Sequence, residues 1–161
     1  MRALDIDMEI RITYGVGEAS TKLAAFDMAL FSAGIANYNL IRLSSIIPEG
    51  VKIKIGKVNW NQKEHGYKLY VVLSKYIETN KGKEACAGLG WMQDKTGKGL
   101  FAEHYGSSKK EVRCLINKSL KNIRSYRVEK YGKICQKLIG IKCKGKPVCT
   151  IVCAVFKSEK W

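Results

Sequence analysis

Two adjacent serines, Ser44 and Ser45, lie in a segment, residues 38–47, that is rich in leucine and isoleucine. A serine hydroxyl is a weak nucleophile, so its attack on a carbonyl carbon requires a strained or well-positioned bond and hydrogen-bond donors for the oxyanion that forms. More commonly, a buried serine only forms a hydrogen bond with a neighbouring backbone group. The residue types alone therefore leave two interpretations open, a reactive pair and a structural pair.

Two carboxylates also occur where apolar side chains are expected. Asp27 follows Leu23 by four residues and precedes Leu30 by three, which on a helix puts it on or beside the buried face. Glu103 has apolar neighbours on a short strand, with His104 on the opposite face. Because a buried carboxylate is costly unless it is paired, Asp27 is either an acceptor for backbone donors or a receptor for a cationic ligand.

Hydrophobic periodicity predicts the elements that position these side chains. The first predicted helix covers residues 22–33, with Ser20 or Thr21 as its N-cap and Gly34 as its end. The second is amphipathic and runs from the capping box at residues 108–111 to about residue 131. The predicted strands are residues 9–14, 38–47, 51–55, 68–77, 84–92, 100–105 and 148–156. Because the strands are grouped and do not alternate with helices, the pattern favours an α+β fold.

The segment GVGEAST, residues 15–21, breaks the first strand pattern. Two glycines spaced by one residue permit unusual backbone angles, but the third glycine of a dinucleotide-binding fingerprint is absent. We expect this segment to form a tight strand-to-helix connection.

Length and composition indicate one compact domain covering residues 1–161. The chain is 46% apolar and contains two prolines, which is typical of a globular protein. Residues 1–9 are charged and lack the apolar core of a signal peptide, and no stretch approaches the roughly 18 apolar residues of a membrane span. We therefore expect a soluble, cytoplasmic protein that is not associated with membranes.

The six cysteines do not indicate a disulfide framework or a metal site. The sequence contains no C-x-x-C pair to anchor a zinc ion. Cys149 and Cys153 lie four apart in an apolar run, so both should lie on one face of a strand as small buried residues.

The net charge of +15 is concentrated in one segment. Between residues 107 and 146 there are thirteen lysines and arginines against two glutamates. Such a block can bind phosphate backbones, so a non-enzymatic basic protein that binds nucleic acid is an alternative. Tyr126 and Tyr131 are the only aromatic residues in the block, which is fewer than a stacking platform for bases requires.

Three segments of the chain, GVGEAST, AAFDMALFSAGIANYNLIRLSSIIP and GLFAEHYGSSKKE, resemble the pyruvoyl-dependent arginine decarboxylases of archaea and some bacteria. The most specific part is the element N-L-I-R-x-S-S-I. The resemblance implies a four-layer αββα sandwich. It also implies assembly as a homotrimer of αβ units or a dimer of trimers, with active sites between subunits.

This resemblance also implies a reaction for the serine pair. Members of the family cut their own chain between two serines, so here Ser45 Oγ would attack the carbonyl carbon of Ser44. An ester, a dehydroalanine and finally a covalent pyruvoyl group at residue 45 would follow. Residues 1–44 would become the β subunit and residues 45–161 the α subunit. The pyruvoyl group would bind the substrate amine as a Schiff base and accept the electrons released with CO₂.

Three further residues match functional positions of the family. Asn39 matches the processing asparagine, which implies a donor to the oxyanion. Glu103 matches the general acid that protonates the substrate after CO₂ is lost, so a Glu103→Gln variant is expected to cleave itself but not to decarboxylate. Burial on an apolar strand would favour the protonated form of such an acid. Asp27 matches the aspartate that faces the substrate guanidinium.

The implied activity is conversion of arginine to agmatine and CO₂ in polyamine biosynthesis. Ornithine and lysine also carry a cation at one end and differ from arginine mainly in reach, so decarboxylation of another basic amino acid is an alternative. The segment after Gly66 lacks the proline expected there, which leaves the substrate more open than the self-cleavage.

Overall fold

The computed structural model describes residues 8–161, in which the chain forms nine strands and two α-helices. The helices are α1, Lys22–Ala33, and α2, Lys109–Tyr126, and a single 3₁₀ turn covers Gln62–Glu64. The strands are β1 Met8–Glu18, β2 Asn39–Arg42, β3 Ile46–Ile47, β4 Val51–Ile55, β5 Lys68–Glu78, β6 Glu84–Gln93, β7 Gly99–Gly106, β8 Cys135–Lys142 and β9 Val148–Glu159. The α+β class expected from the sequence is confirmed.

The strands form two sheets. The first has the order β2-β5-β9-β1-β4 and the second the order β3-β7-β6-β8. In the first sheet, β1 pairs with β4 and β2 with β5 in parallel, whereas β9 is antiparallel to both β1 and β5. All pairs in the second sheet are antiparallel. β2 and β3 are neighbours in the sequence but belong to different sheets.

One of the two largest buried clusters joins the two sheets. From the first sheet it takes Ile10, Ile12 and Val152, and from the second it takes Leu89 and Phe101, all at most 2% exposed. Strands alternate their side chains between two faces, so these residues define the inward faces of both sheets. At about 25 cal/mol for each Å² of apolar surface removed from water, this face-to-face contact is a principal source of stability.

Helix α1 packs on the first sheet through its small residues. Ala25, Ala29 and Ala33 are fully buried there, whereas Leu23 is 77% and Phe31 73% exposed. The bounds predicted for this helix, the Thr21 N-cap and the Gly34 end are confirmed: Thr21 Oγ1 accepts the Ala24 N–H at 3.1 Å, and Gly34 has φ +82°. The expected burial of Leu23 was wrong, whereas Leu30, expected on the same face, is buried.

Two glycines of β1 explain why alanines face the sheet. A Cβ at Gly15 would lie 2.1 Å from Ala29 O, and one at Gly17 would lie 2.2 Å from Ala25 O. The predicted loop at residues 15–21 was therefore wrong for its first half, because β1 continues to Glu18. These glycines permit close approach of the helix backbone to the strand.

Helix α2 covers the outer face of the second sheet. Val112, Ile116 and Leu120 form its buried stripe. The predicted capping box is confirmed in part: Ser108 Oγ accepts the Glu111 N–H at 3.1 Å, but the Glu111 carboxylate accepts the N–H of Ser107, at 3.0 Å, one residue before the cap. The helix ends at Tyr126, five residues before the predicted end.

Strand β8 was missed by the sequence analysis. It lies at the edge of the second sheet, where β6 is its only pairing partner among residues 8–161. Most of its residues are half-buried. An edge strand inside a lysine-rich segment carries little of the alternation that marks a buried strand.

The buried positions of Cys149 and Cys153 are confirmed, since both lie on the α1-facing side of β9 and are inaccessible to solvent. Within residues 8–161, neither helix has both the length and the apolar character needed to cross a membrane.

A Gly15→Ala variant tests the close contact between α1 and β1. Because the added Cβ meets backbone atoms that cannot rotate away, the free energy of unfolding should fall by about 1–3 kcal/mol or more. Gly56→Ala is the matched control, since its nearest neighbour would be an arginine side-chain nitrogen at 3.4 Å. Urea unfolding of the three proteins measures the difference, and equal losses in both variants would contradict the packing described.

Candidate active site

The serine pair lies where the chain crosses from the first sheet to the second. The single strand predicted over residues 38–47 was wrong: it is divided into β2 and β3, and residues 43–45 connect them. On one side, the Leu43 N–H donates to Val71 O of β5 at 2.8 Å; on the other, the Phe101 N–H of β7 donates to Ser45 O at 2.8 Å. Ser44 is exposed and Ser45 half-buried, so the pair is not in a buried strand centre.

The crossover contains a three-residue turn. The Ile46 N–H donates to Ser44 O at 2.9 Å, a hydrogen bond between residues i+2 and i that is typical of a γ-turn. Ser45 is the central residue of this turn. Its side chain therefore projects from the bend, away from the ladders on either side.

The Ser45 hydroxyl is held by the carboxylate of Glu103. Its Oγ lies 2.9 Å from Glu103 Oε1 and 2.7 Å from Oε2, so the hydroxyl donates to an acceptor that can also take its proton. Among the sequence-predicted residues, this contact brings Ser44, Ser45 and Glu103 together.

Strand β7 positions Glu103 at the edge of the core. Phe101 points into the cluster between the sheets, and Glu103, two residues later, projects on the same side. Glu103 itself is exposed in the single chain, so the expected burial of this carboxylate was wrong. The inter-sheet core ends before Glu103 and a cleft begins there.

This cleft has a volume of about 340 Å³ and opens between the ends of the two sheets. Its lining residues are Arg42, Leu73, Ser74, Lys75, Glu103 and Tyr105. The sequence analysis missed Arg42, Lys75 and Tyr105. Only Arg42 gave a signal, as a charged residue inside the serine-containing motif, whereas the others reach the cleft only because the sheets pack together.

Hydrogen bonds and ring contacts fix the walls of the cleft. Ser74 Oγ of β5 donates to His104 O of β7 at 2.7 Å and links the two sheets directly. The Tyr105 ring stacks on Tyr76 with centroids 5.4 Å apart, and Lys75 Nζ lies 4.4 Å from the centre of the Phe26 ring on α1. The cleft is thus built from β2, β5 and β7, and Phe26 of α1 holds the Lys75 side chain.

His104 points away from this cleft, as its predicted position on the opposite face requires. Its Nε2 lies 2.7 Å from Ser119 Oγ on α2. Burial lowers the pKa of His104, and the charge of Glu103 opposes that shift. The histidine therefore connects β7 to the helix behind it.

The structure does not bring Asn39 or Asp27 to the serine pair within one chain. Asn39 Nδ2 donates to Gly66 O at 2.7 Å, and Trp161 Nε1 donates to the same carbonyl at 2.9 Å. Asp27 is exposed on α1, where its side chain forms no hydrogen bond or ion pair with any of residues 8–161. The roles expected of these two residues stay predictions.

Comparison with known proteins identifies the family. A family model described as "Pyruvoyl-dependent arginine decarboxylase (PvlArgDC)" matches residues 9–160. "Pyruvoyl-dependent arginine decarboxylase 2" of Archaeoglobus fulgidus is 28% identical over 140 residues, covering 80% of this chain and 89% of the relative.

Two further relatives carry the name "Pyruvoyl-dependent arginine decarboxylase". The protein of Thermococcus kodakarensis is 31% identical over 146 residues, which cover 86% of this chain and 88% of the relative. The protein of Halobacterium salinarum is 39% identical over 94 residues, which cover 58% of each chain. The match of the family model over nearly the whole chain decides the assignment: this chain belongs to the pyruvoyl-dependent arginine decarboxylase family.

Proposed function

We propose that this protein is a self-processing, pyruvoyl-dependent decarboxylase that converts arginine to agmatine and CO₂. The observation that carries the proposal is the contact of Ser45 Oγ with both carboxylate oxygens of Glu103, at 2.7 and 2.9 Å, in a chain that belongs to this family. A nucleophile and a base are in hydrogen-bond contact beside an exposed peptide bond, as nucleophilic cleavage requires.

The proposed cut lies between Ser44 and Ser45. As Ser45 Oγ bonds to the Ser44 carbonyl carbon, its proton passes to Glu103, and the peptide C–N bond then breaks with the proton returned to the amine. The Cα proton of residue 45 is then lost to a base as the Cβ–O bond of the resulting ester breaks, which releases the Ser44 carboxylate and leaves dehydroalanine at residue 45. Water then releases ammonia and leaves the ketone. The products are residues 1–44 and residues 45–161.

The surroundings of Ser45 fit the pyruvoyl group. The group is made from the atoms of Ser45, so its amide carbonyl is the one that already accepts the Phe101 N–H at 2.8 Å. When formed, it supplies a ketone that condenses with the substrate amine and takes up the electrons released with CO₂. Glu103, beside the same residue, is placed to donate the proton that replaces CO₂ on the substrate Cα.

Asn39 is proposed as a further donor to the oxyanion during cleavage. In the structure its Nδ2 is bonded to Gly66 O, so it serves in that role only after leaving this carbonyl.

The substrate guanidinium is proposed to bind Asp27 of a neighbouring subunit. A planar guanidinium pairs with a carboxylate through two parallel hydrogen bonds. Around Asp27, the outward side of α1 exposes Leu23, Met28 and Phe31, at 77%, 48% and 73%. Such an apolar surface on a helix supports burial against another copy of the chain, either in a homotrimer or in a dimer of trimers.

The proposed architecture is a four-layer αββα sandwich, and the proposed location of the protein is the cytoplasm. Support for the layers comes from the three clusters that join α1 to the first sheet, the sheets to each other, and the second sheet to α2. Support for a reducing compartment comes from the six cysteines, all within the described range and all free thiols.

A pair of serine variants tests the cleavage site. Ser45→Ala should remain one chain of 18.1 kDa, because it lacks the nucleophile. Ser44→Ala is the matched control and should still yield two fragments, because Ser44 contributes only its backbone carbonyl. Intact-mass spectrometry of the purified proteins reads the result. An uncut wild type, or a cut Ser45→Ala variant, would contradict the proposed site.

Glu103→Gln tests the proposed base. The amide cannot accept the Ser45 proton, so self-cleavage should slow by about 10²–10⁴-fold, and decarboxylation by any cleaved fraction should fall similarly. This outcome differs from the expectation drawn from the resemblance, in which a Glu103→Gln variant still cleaves itself and loses only decarboxylation. Glu49→Gln, which removes only an exposed ion pair with Lys98, should match wild type in both assays. Cleavage of Glu103→Gln at the wild-type rate would restrict Glu103 to the later step.

Asp27→Asn tests recognition of the substrate cation. Loss of a charge-assisted pair worth roughly 1.5–3 kcal/mol should lower kcat/KM for arginine by about 10–100-fold. Self-cleavage, measured by intact mass, should be unchanged and serves as the internal control for folding.

CO₂ release from arginine, ornithine and lysine by the wild type decides among the substrates. Faster turnover of ornithine or lysine than of arginine would overturn the substrate assignment.

A further inference from the structure

The carbonyl of Ser44 already has a hydrogen-bond donor, the backbone N–H of Ile46, at 2.9 Å. We propose that this N–H stabilises the oxyanion on Ser44 O during self-cleavage. The inference rests on the proposed cut between Ser44 and Ser45 and names a component of that reaction. It assigns the function to the backbone of the turn itself.

The orientation of this N–H follows from peptide geometry. Ser45 C=O and Ile46 N–H belong to one planar trans peptide unit, so they point in opposite directions. Ser45 O accepts the Phe101 N–H at 2.8 Å, which turns the N–H of Ile46 away from β7 and toward Ser44 O. Phe101 is only 2% exposed in the core between the sheets, so its side chain anchors the donor that fixes this orientation.

The N–H of Ile46 is available because β3 is an edge strand. Among residues 8–161, β3 pairs with β7 alone, with Ile46 opposite Leu100. Since the N–H points away from β7, no ladder bond within this range competes for it.

The turn places all three groups of the first step around one carbonyl. Ser45 Oγ is the nucleophile, Glu103 accepts its proton, and Ser44 O receives the electron pair of the C=O bond as the Oγ–C bond forms. Hydrogen bonds to an anion are about twice as strong as those between neutral groups, so the contact of Ile46 with Ser44 strengthens as the oxyanion develops. When the oxyanion collapses, the C–N bond breaks and the proton held by Glu103 goes to the nitrogen of Ser45.

The asparagine implicated by the resemblance to the family does not occupy this position. Asn39 Nδ2 donates to Gly66 O, in the turn before β5, at 2.7 Å. Within the range described by the structure, the Ile46 N–H is the donor in contact with Ser44 O.

Comparison of Ile46→Pro with Ile46→Ala tests the inference. Proline removes the N–H at an edge position that loses no ladder bond, whereas alanine keeps the N–H and removes only a side chain that is 51% exposed. The proteins are made by cell-free synthesis, and the uncut fraction is followed by intact mass over time. Ile46→Ala should cleave at close to the wild-type rate, and Ile46→Pro about 10²–10³-fold more slowly.

A second variant removes the N–H without constraining the backbone. Incorporation of the α-hydroxy analogue of isoleucine at position 46 replaces the amide by an ester and keeps the side chain, so it avoids the restriction that proline places on Ser45. It should slow cleavage to a similar extent while circular dichroism and thermal unfolding remain close to those of Ile46→Ala. If Ile46→Pro does not fold, the cleavage rate of this ester variant decides whether the Ile46 N–H is the donor.

The outcomes separate this inference from the function on which it rests. If the wild type and the ester variant cleave equally fast, the donor role of Ile46 is overturned and the cut between Ser44 and Ser45 still stands. A wild-type chain that never cleaves overturns both. Slow cleavage confined to the variants without the N–H supports the assignment.

Discussion

The geometry of the candidate site depends on the passage of the chain from one sheet to the other. β5 holds β2 in the first sheet and β7 holds β3 in the second, so residues 43–45 must bridge two layers that are packed face to face. Val71 O and the Phe101 N–H fix the two ends of this bridge. A bend enforced from both sides cannot relax into either ladder, and it holds the Ser45 hydroxyl against the carboxylate of Glu103, which lines the cleft.

Much of the secondary structure could be predicted because its signals are local. Thr21 and Gly34 mark the ends of α1, Ser108 marks the start of α2, and alternation locates most strands. The buried face of α1 could not be predicted from hydrophobicity, because the contact depends on Gly15 and Gly17 of a strand that the helix meets only in the folded chain. Leu23 and Phe31 of that helix therefore lie outward, and Ala25, Ala29 and Ala33 lie inward.

The site was predictable only in part, and for different reasons at each residue. The resemblance to a family indicated Ser45 and Glu103 individually, but their contact requires pairing of β3 with β7, which no local pattern encodes. Burial of Glu103 was inferred from its apolar neighbours, which fill the core up to the position just before it. The donor at Ile46 is a backbone group, so no residue type could have indicated it.

The order of strands in the first sheet has a consequence for the fate of the proposed fragments. β1, α1 and β2 all precede Ser44, and β1 lies inside the sheet between β9 and β4. Removing this segment would open the sheet through its middle and expose Ile10 and Ile12 to water. A cut after Ser44 would thus change the connectivity of the chain while leaving the first sheet intact. The shorter piece would stay as a permanent structural partner and would not be shed as a propeptide.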